Sequence, residues 1–203
     1  MRLRAAVLGV LLLGSLAPAV AEEVTLRANR PGRGAMELRV EPAQAAWIIR
    51  VLDPAGAQVQ VIEVRRDATQ PPPHIVDADG DNAGDLWVPI AVDNANTTFE
   101  IWRNVPVAGR FVRAGTVSGI SFRRDGGYLV AIGRDGCCAL GYEFHRFRPD
   151  GLLFLTFTIS ASFRADGTVE DCGVTVETDR APEALRRRWC AGGAEDQRPG
   201  LRL

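Results

Sequence analysis

The chain has 203 residues, of which 46% are hydrophobic and 24% are charged. This composition excludes an intrinsically disordered chain, because such chains combine low hydrophobicity with high net charge. All 24 basic residues are arginine and the formal net charge is −1, which argues against a basic nucleic-acid-binding surface over the whole molecule. The length fits one domain, or one domain with a small appendage.

The N-terminal segment has the composition of a cleavable secretory signal. Arg2 and Arg4 precede an apolar run at 5–16, and the sequence Ala-Val-Ala at 19–21 provides the small residues that signal peptidase requires. The apolar run is shorter than the roughly 20 residues of a membrane-spanning helix, and no cysteine near the cleavage point offers a lipid anchor. We therefore predict a signal peptide at 1–21 and a periplasmic or secreted protein without a membrane anchor.

Short apolar segments separated by turn residues follow the predicted signal. Strand-like segments stand at 24–28, 36–40, 46–52 and 59–64, and a proline-rich break over 70–73 follows the last of them. Proline excludes a helix at that break, because it lacks the backbone N–H and its ring clashes with the preceding turn. The first third of the chain therefore predicts antiparallel strands joined by tight turns.

A short motif recurs three times in the second half of the chain. Phenylalanine and arginine are followed two residues later by Asp-Gly at 122–126, 147–151 and 163–167. Asp-Gly accommodates the positive φ angles of a hairpin turn, so each copy predicts a junction between two antiparallel strands. The segment 182–189 predicts a short helix that ends at Cys190, with Pro182 at its first position.

These patterns predict an all-β fold: an antiparallel meander of hairpins, either propeller-like or a sandwich, with one short C-terminal helix. We expect a single β-rich domain at 22–190. The remaining residues, 191–203, predict a flexible tail.

The most informative segment is an acidic loop with alternating carboxylates. Calcium binds six to eight oxygen atoms, and side chains at loop positions 1, 3, 5 and 9, with the backbone carbonyl at position 7, can surround one ion. Four carboxylates this close together repel one another strongly without a cation. The sequence therefore predicts a calcium site formed by Asp77, Asp79, Asp81, Asp85 and the carbonyl of Ala83.

The loop departs from the EF-hand pattern at two positions. Asn82 stands where an EF-hand has glycine, and asparagine tolerates the left-handed backbone conformation. Val88 stands where an EF-hand has its bidentate glutamate, and residues 86–88 have the pattern of a strand. The loop thus resembles the calcium loops on β-structure in FG-GAP propeller repeats rather than a helix–loop–helix sensor. A solvated acidic turn without metal is the alternative.

Four cysteines lie in the C-terminal third of the chain: Cys137, Cys138, Cys172 and Cys190. An oxidising compartment favours disulfides over free thiols or a zinc site. Two of the three pairings connect the adjacent cysteines to Cys172 and Cys190, and the third requires a strained bridge between Cys137 and Cys138. We predict the two cross-links.

Sequence patterns for catalysis are poor. The two histidines are His74, in the proline-rich loop, and His145, in a strand-like segment, and the nucleophile and metalloprotease motifs GxSxG and HExxH are absent. We predict that the protein is not an enzyme. A carboxylate pair for glycoside hydrolysis remains an open alternative.

Several motifs in order resemble a known family. They are the proline-led acidic loop (PPPHIVDADGDNAGDLWV), an asparagine turn with an aromatic strand (DNANTTFEIW), GRFV, and a cysteine-containing hairpin (GCCALGYEFHRF). Over residues 58–159 this order resembles periplasmic immunity proteins that protect bacteria from lysozyme-like effectors and are similar to inhibitors of invertebrate-type lysozyme. The resemblance implies a calcium loop on a β-rich domain, and inhibition of a lysozyme-like cell-wall hydrolase as protein partner.

The resemblance also implies a recognition loop. Ser118, Gly119 and Phe122 are similar to a Ser-Gly-x-x-Tyr loop of bacterial lysozyme inhibitors, with phenylalanine in place of tyrosine. We predict partner binding at these three residues, because a loop on a rigid sheet orders at little entropic cost. The main alternative is a secreted FG-GAP-like calcium-binding interaction module without inhibitory activity, and a hydrolase of cell-wall sugars is a third.

Overall fold

The computed structural model describes residues 23–67, 70–93, 95–105, 107–191 and 201, and these form three antiparallel sheets and one short helix. The predicted signal peptide and most of the predicted tail lie outside the described residues. Within them, no helix is long and apolar enough to cross a membrane. The all-β prediction with one short C-terminal helix is confirmed.

Each sheet is a meander in which consecutive strands are neighbours. The N-terminal sheet consists of β1 (Val24–Arg30), β2 (Arg33–Pro42), β3 (Ala46–Leu52) and β4 (Gln58–Arg65). The central sheet consists of β5 (His74–Val76), β6 (Asp85–Val92), β7 (Thr97–Val105) and β8 (Arg110–Gly119). The C-terminal sheet consists of β9 (Ser121–Asp125), β10 (Tyr128–Arg134), β11 (Ala139–Phe147), β12 (Leu153–Phe163) and β13 (Val169–Val176).

The three predicted Asp-Gly turns join consecutive strands of the C-terminal sheet. Their glycines have positive φ angles of 59° at Gly126, 88° at Gly151 and 81° at Gly167. A side chain is disfavoured in that conformation, and glycine adopts it at no steric cost. The local backbone preference of these turns therefore favours the hairpins β9–β10, β11–β12 and β12–β13.

The sheets stack as three successive layers, more than the two layers of a sandwich. One core lies between the N-terminal and central sheets, and a second lies between the central and C-terminal sheets. In β6, Leu86 and Val88 belong to the first core and Trp87 belongs to the second. β6 and β10 are each buried over five consecutive residues because layers cover both of their faces. This arrangement explains why the buried apolar residues LWVP of β6 and YLVAI of β10 do not alternate with polar residues.

A third core lies between the C-terminal sheet and the helix α1 (Glu183–Cys190). Pro182 is the N-cap of this helix rather than its first residue, one position from the prediction. Trp189 is fully buried and donates a hydrogen bond of 2.8 Å from Nε1 to the carboxylate of Asp125. Arg188 forms an ion pair with the same carboxylate, so part of the arginine run contacts the sheet. The turn that closes the β9–β10 hairpin therefore also fixes the helix.

The prediction of two disulfides to the adjacent cysteines is wrong. Cys172 on β13 is bonded to Cys190 at the end of α1, and Cys137 and Cys138 are free and exposed in the turn between β10 and β11. The helix packs over the C-terminal sheet and thereby brings Cys190 to β13. The bond therefore joins the last strand to the helix that follows it, and the other two cysteines stay at a hairpin tip.

Ala191 and Leu201 are the described residues of the predicted tail, and Leu201 is attached to the domain. Its backbone N–H donates a hydrogen bond of 2.8 Å to the carbonyl of Phe122, and its side chain packs against the second core. The prediction of a flexible tail therefore does not hold at Leu201, which contacts the domain.

Candidate metal centre

The acidic loop connects two paired strands of the central sheet. Val76 at the end of β5 pairs with Asp85 at the start of β6, so the loop over 77–84 is closed by backbone pairing at its base. It is thus a strand–loop–strand unit, in agreement with the strand pattern after the loop and with the exclusion of an EF-hand. Strand pairing holds the two ends of the loop at a fixed separation.

Within the loop, carboxylates accept hydrogen bonds from backbone N–H groups further along the chain. Asp77 accepts from Gly80 at 2.6 Å and from Asn82 at 3.2 Å, and Asp81 accepts from Ala83 at 2.7 Å. Such side-chain bonds replace the ladder bonds that the backbone lacks in a loop. They curl the segment around its own acidic side chains.

Asn82 has a φ angle of 64° and is the one non-glycine residue with positive φ among the described residues. A residue other than glycine, asparagine or aspartate would be strained there. The interpretation of Asn82 as a substitute for the glycine of a calcium loop is therefore consistent with its backbone. The left-handed residue reverses the chain between Asp81 and Ala83.

The structure brings three of the four predicted carboxylates together. One oxygen each from Asp77, Asp79 and Asp85 lies within 4.8 Å of the others, and Asp81 is not part of this group. Ala83, whose carbonyl was the fifth predicted ligand, is fully buried. Three convergent carboxylates are a donor set that suits a hard divalent cation such as calcium.

Two arginines that the sequence analysis did not single out lie against these carboxylates. Arg103 on β7 places Nε 2.6 Å from Oδ2 of Asp79 and Nη2 3.5 Å from Oδ2 of Asp81. Arg124 on β9 places Nη1 3.2 Å from Oδ2 of Asp77. The guanidinium groups offset much of the negative charge of the loop, and a cation at the same carboxylates has to compete with them.

The pairing of β6 with β7 places Arg103 beside the end of the acidic loop. Leu86 pairs with Trp102, so the next residue outward on β7 lies beside Asp85 and the end of the loop. A count from the asparagine turn that omits the register shift between Pro89 and Ala91 places Arg103 opposite Leu86, one residue from its actual position. Arg124 comes from a different sheet, and no local pattern indicates it.

Asp85 connects the loop to the neighbouring strand. Its side chain is fully buried, Oδ2 accepts a hydrogen bond of 2.9 Å from the N–H of Ala78, and Oδ1 accepts one of 2.8 Å from the N–H of Asn104. Burial raises the pKa of Asp85 to about 8, with smaller contributions from the charges of Asp79 and Asp81, while the two N–H donors lower it. Burial also raises the pKa of Asp81. A divalent cation would favour the ionised form of both side chains.

The predicted recognition residues do not form an exposed loop, so that part of the prediction is wrong. Phe122 is 1% exposed and packs edge-on against Trp87 and Phe99 in the second core. Gly119 is buried, and a Cβ atom there would lie 2.6 Å from the carbonyl oxygen of Ile132. Ser118 is partly buried and forms a hydrogen bond of 3.0 Å with Thr98. The segment is the passage from β8 to β9, where the chain leaves one sheet for the next.

Comparison of the chain with protein-family models, with curated proteins and with solved structures finds no significant match. The resemblance to the immunity proteins therefore depends on the ordered motifs alone.

Proposed function

We propose that this chain is an exported, calcium-stabilised protein that binds and inhibits a peptidoglycan-cleaving, lysozyme-like enzyme. The observation that carries the proposal is the acidic loop, in which Asp77, Asp79 and Asp85 converge within 4.8 Å on a strand–loop–strand unit. This geometry suits the calcium loop that the family resemblance implies. The secretory pattern at 1–21 supports an exported protein.

In this proposal the loop residues hold calcium and have a structural role. Asp77 and Asp79 come from the loop itself, and Asp85 belongs to β6 and bonds to the backbone of β7. Calcium, when bound, supplies positive charge that joins these carboxylates and so ties the loop to the central sheet. The chain's own contribution is to hold the three carboxylates together through backbone hydrogen bonds and strand pairing.

The decisive test uses a lysozyme-like hydrolase encoded next to this chain. We expect the purified protein with calcium to form a complex with the hydrolase and to reduce its clearing of a peptidoglycan suspension in proportion to the amount added. A matched Asp79→Ala variant should inhibit less, because its loop is less ordered. If the protein neither binds such a hydrolase nor slows it, the proposed function is wrong.

An FG-GAP-like calcium-binding module without inhibitory activity is the second candidate. Two four-stranded antiparallel meanders follow one another in the N-terminal and central sheets, as blades do in propeller repeats. The same experiment separates the candidates. Such a module would bind calcium and a protein partner while leaving hydrolase activity unchanged.

A further inference from the structure

A cleft of about 470 Å³ lies beside the acidic loop, between the central and C-terminal sheets. Four arginines line it: Arg103, Arg124, Arg146 and Arg148. Its volume falls within the range of ordinary ligand pockets. We call it the arginine cleft.

Aromatic rings position three of the four guanidinium groups. Arg146 lies 4.3 Å above the ring of Tyr128, Arg148 lies 5.3 Å from the ring centre of Phe154, and Arg103 lies 5.8 Å from that of Phe147. Stacking fixes a flexible side chain before a ligand arrives and leaves its N–H groups free to donate. Ligand binding therefore costs less side-chain conformational entropy, because these side chains are already ordered in the free protein.

The four arginines differ in their carboxylate partners. Arg103 and Arg124 are paired with carboxylates of the acidic loop. For Arg146 and Arg148, no carboxylate of the described residues lies within ion-pair distance, and both side chains are exposed. The backbone of Arg148 is held in a closed turn, since its N–H bonds to the carbonyl of Leu152 at 2.8 Å. The outer part of the cleft thus presents two ordered positive charges without an internal counter-charge.

We propose that the arginine cleft is the surface that binds carboxylates of the partner enzyme, with Arg146 and Arg148 as the contacting residues. This inference rests on the proposed function. Glycoside hydrolases carry paired carboxylates in their substrate clefts, and arginine binds carboxylates in a bidentate, directional way. Gly119 and Phe122 are buried, so they do not form the exposed recognition loop that the sequence predicted. The arginine cleft is a charged surface that can contact a partner instead.

The first experiment measures binding of a glutamate hexapeptide by the full chain, using fluorescence anisotropy at low and at physiological salt. The test variant is Arg146→Glu/Arg148→Glu, and the charge-matched control is Arg27→Glu/Arg33→Glu, whose side chains are exposed on the N-terminal sheet. We expect the test variant to lose at least tenfold in affinity and the control to match the wild type. The assignment is overturned if both variants lose affinity equally or if the wild type does not bind the peptide. It is also overturned if phosphate displaces the bound peptide as effectively as free glutamate does.

The second experiment repeats the hydrolase inhibition assay with the same variants. Loss of inhibition confined to Arg146→Glu/Arg148→Glu supports the arginine cleft as the partner surface. Inhibition equal to that of the wild type overturns this surface and leaves the proposed function standing. Absence of inhibition by the wild type overturns the proposed function, and with it the identity of the partner, while the peptide measurement still reports whether the cleft binds carboxylates.

Discussion

The Nε atom of Arg103 lies 2.6 Å from Oδ2 of Asp79, so a side chain of β7 neutralises a carboxylate in the loop before β6. Both side chains are shielded from water, with exposed fractions of 22% and 10%. The ion pair is therefore less screened than one on an open surface. It couples the acidic loop to the lining of the arginine cleft, because Arg103 and Asp79 both border that cleft.

We expect Arg103→Gln to destabilise the protein in the presence of a chelator by about 2 kcal/mol, because it leaves Asp79 without its charged hydrogen-bond donor. The same change should increase the stabilisation by calcium, because the cation no longer competes with a guanidinium group. Thermal melts with chelator and with calcium measure both effects. Arg113→Gln, which removes an exposed partner of Glu100 on the same sheet, is the control. An equal response to calcium in the two variants would contradict the competition.

Calcium should raise the melting temperature of the wild type by mass action. At a calcium concentration about 100 times the dissociation constant, the gain is about 2.7 kcal/mol. Asp79→Ala should abolish most of this gain and thus behave like the chelated protein. Asp150→Ala, in a turn outside the loop, should retain it. If neither calcium nor a chelator changes the melting temperature of the wild type, the calcium part of the proposal is wrong.

The buried Asp85 should make stability depend on pH when a chelator is present. Its pKa is raised from 3.8 to about 8 in the folded chain, so the folded chain retains a proton that the unfolded chain releases between these values. The contribution of Asp85 to the free energy of unfolding should therefore be greatest below about pH 4 and fall as the pH rises towards 8, by at most about 1.4 kcal/mol per pH unit. Melts across this range give the slope.

Asp85→Asn tests the origin of that slope. The variant should be less stable at low pH by about 1–3 kcal/mol, because an amide nitrogen cannot accept the second backbone N–H bond. Its slope between pH 4 and 8 should be flatter than that of the wild type. The control Asp150→Asn should keep the wild-type slope. An unchanged slope in Asp85→Asn would assign the pH dependence to other groups.

The Cys172–Cys190 bond should contribute about 3 kcal/mol to stability, since it closes a loop of 18 residues. We expect Cys172→Ser/Cys190→Ser to lower the free energy of unfolding by this amount in a denaturant titration. Cys137→Ser/Cys138→Ser should have little effect, because both side chains are exposed at a hairpin tip. Similar losses of stability in the two double variants would instead indicate the predicted disulfides that join Cys137 and Cys138 to Cys172 and Cys190.

Gly119→Ala should destabilise the protein by about 1–3 kcal/mol, because the new Cβ atom would approach the carbonyl oxygen of Ile132 to 2.6 Å. Gly141→Ala on β11 is the matched control, since a Cβ atom there meets nothing within 4 Å. Chemical denaturation measures both. A stable Gly119→Ala variant that loses only hydrolase binding would instead restore this segment as a recognition element.

Short-range chemistry made several features of the fold predictable. The Asp-Gly pairs produced all three predicted turns of the C-terminal sheet, because positive φ angles depend on a few neighbouring atoms. The spacing of Asp77 and Asp79 predicted convergent carboxylates, and Asn82 predicted the left-handed residue between strands. Each of these inferences needs only the chain within about ten residues of the feature.

The errors and omissions concern residues that meet across sheets or layers. Phe122 follows a Ser-Gly pair that reads as a surface loop, yet the stacking of two sheets places it between Trp87 and Phe99. Arg124 approaches Asp77 from 47 residues away along the chain. Cys172 pairs with Cys190 because α1 folds back over the C-terminal sheet. Local backbone preferences determined the strands and the acidic loop. Hydrophobic packing of the layers determined which aromatic rings are buried, which charges are paired and which cysteines are bonded. These outcomes depend on the free energy of burial, and burial involves contacts that no short segment contains.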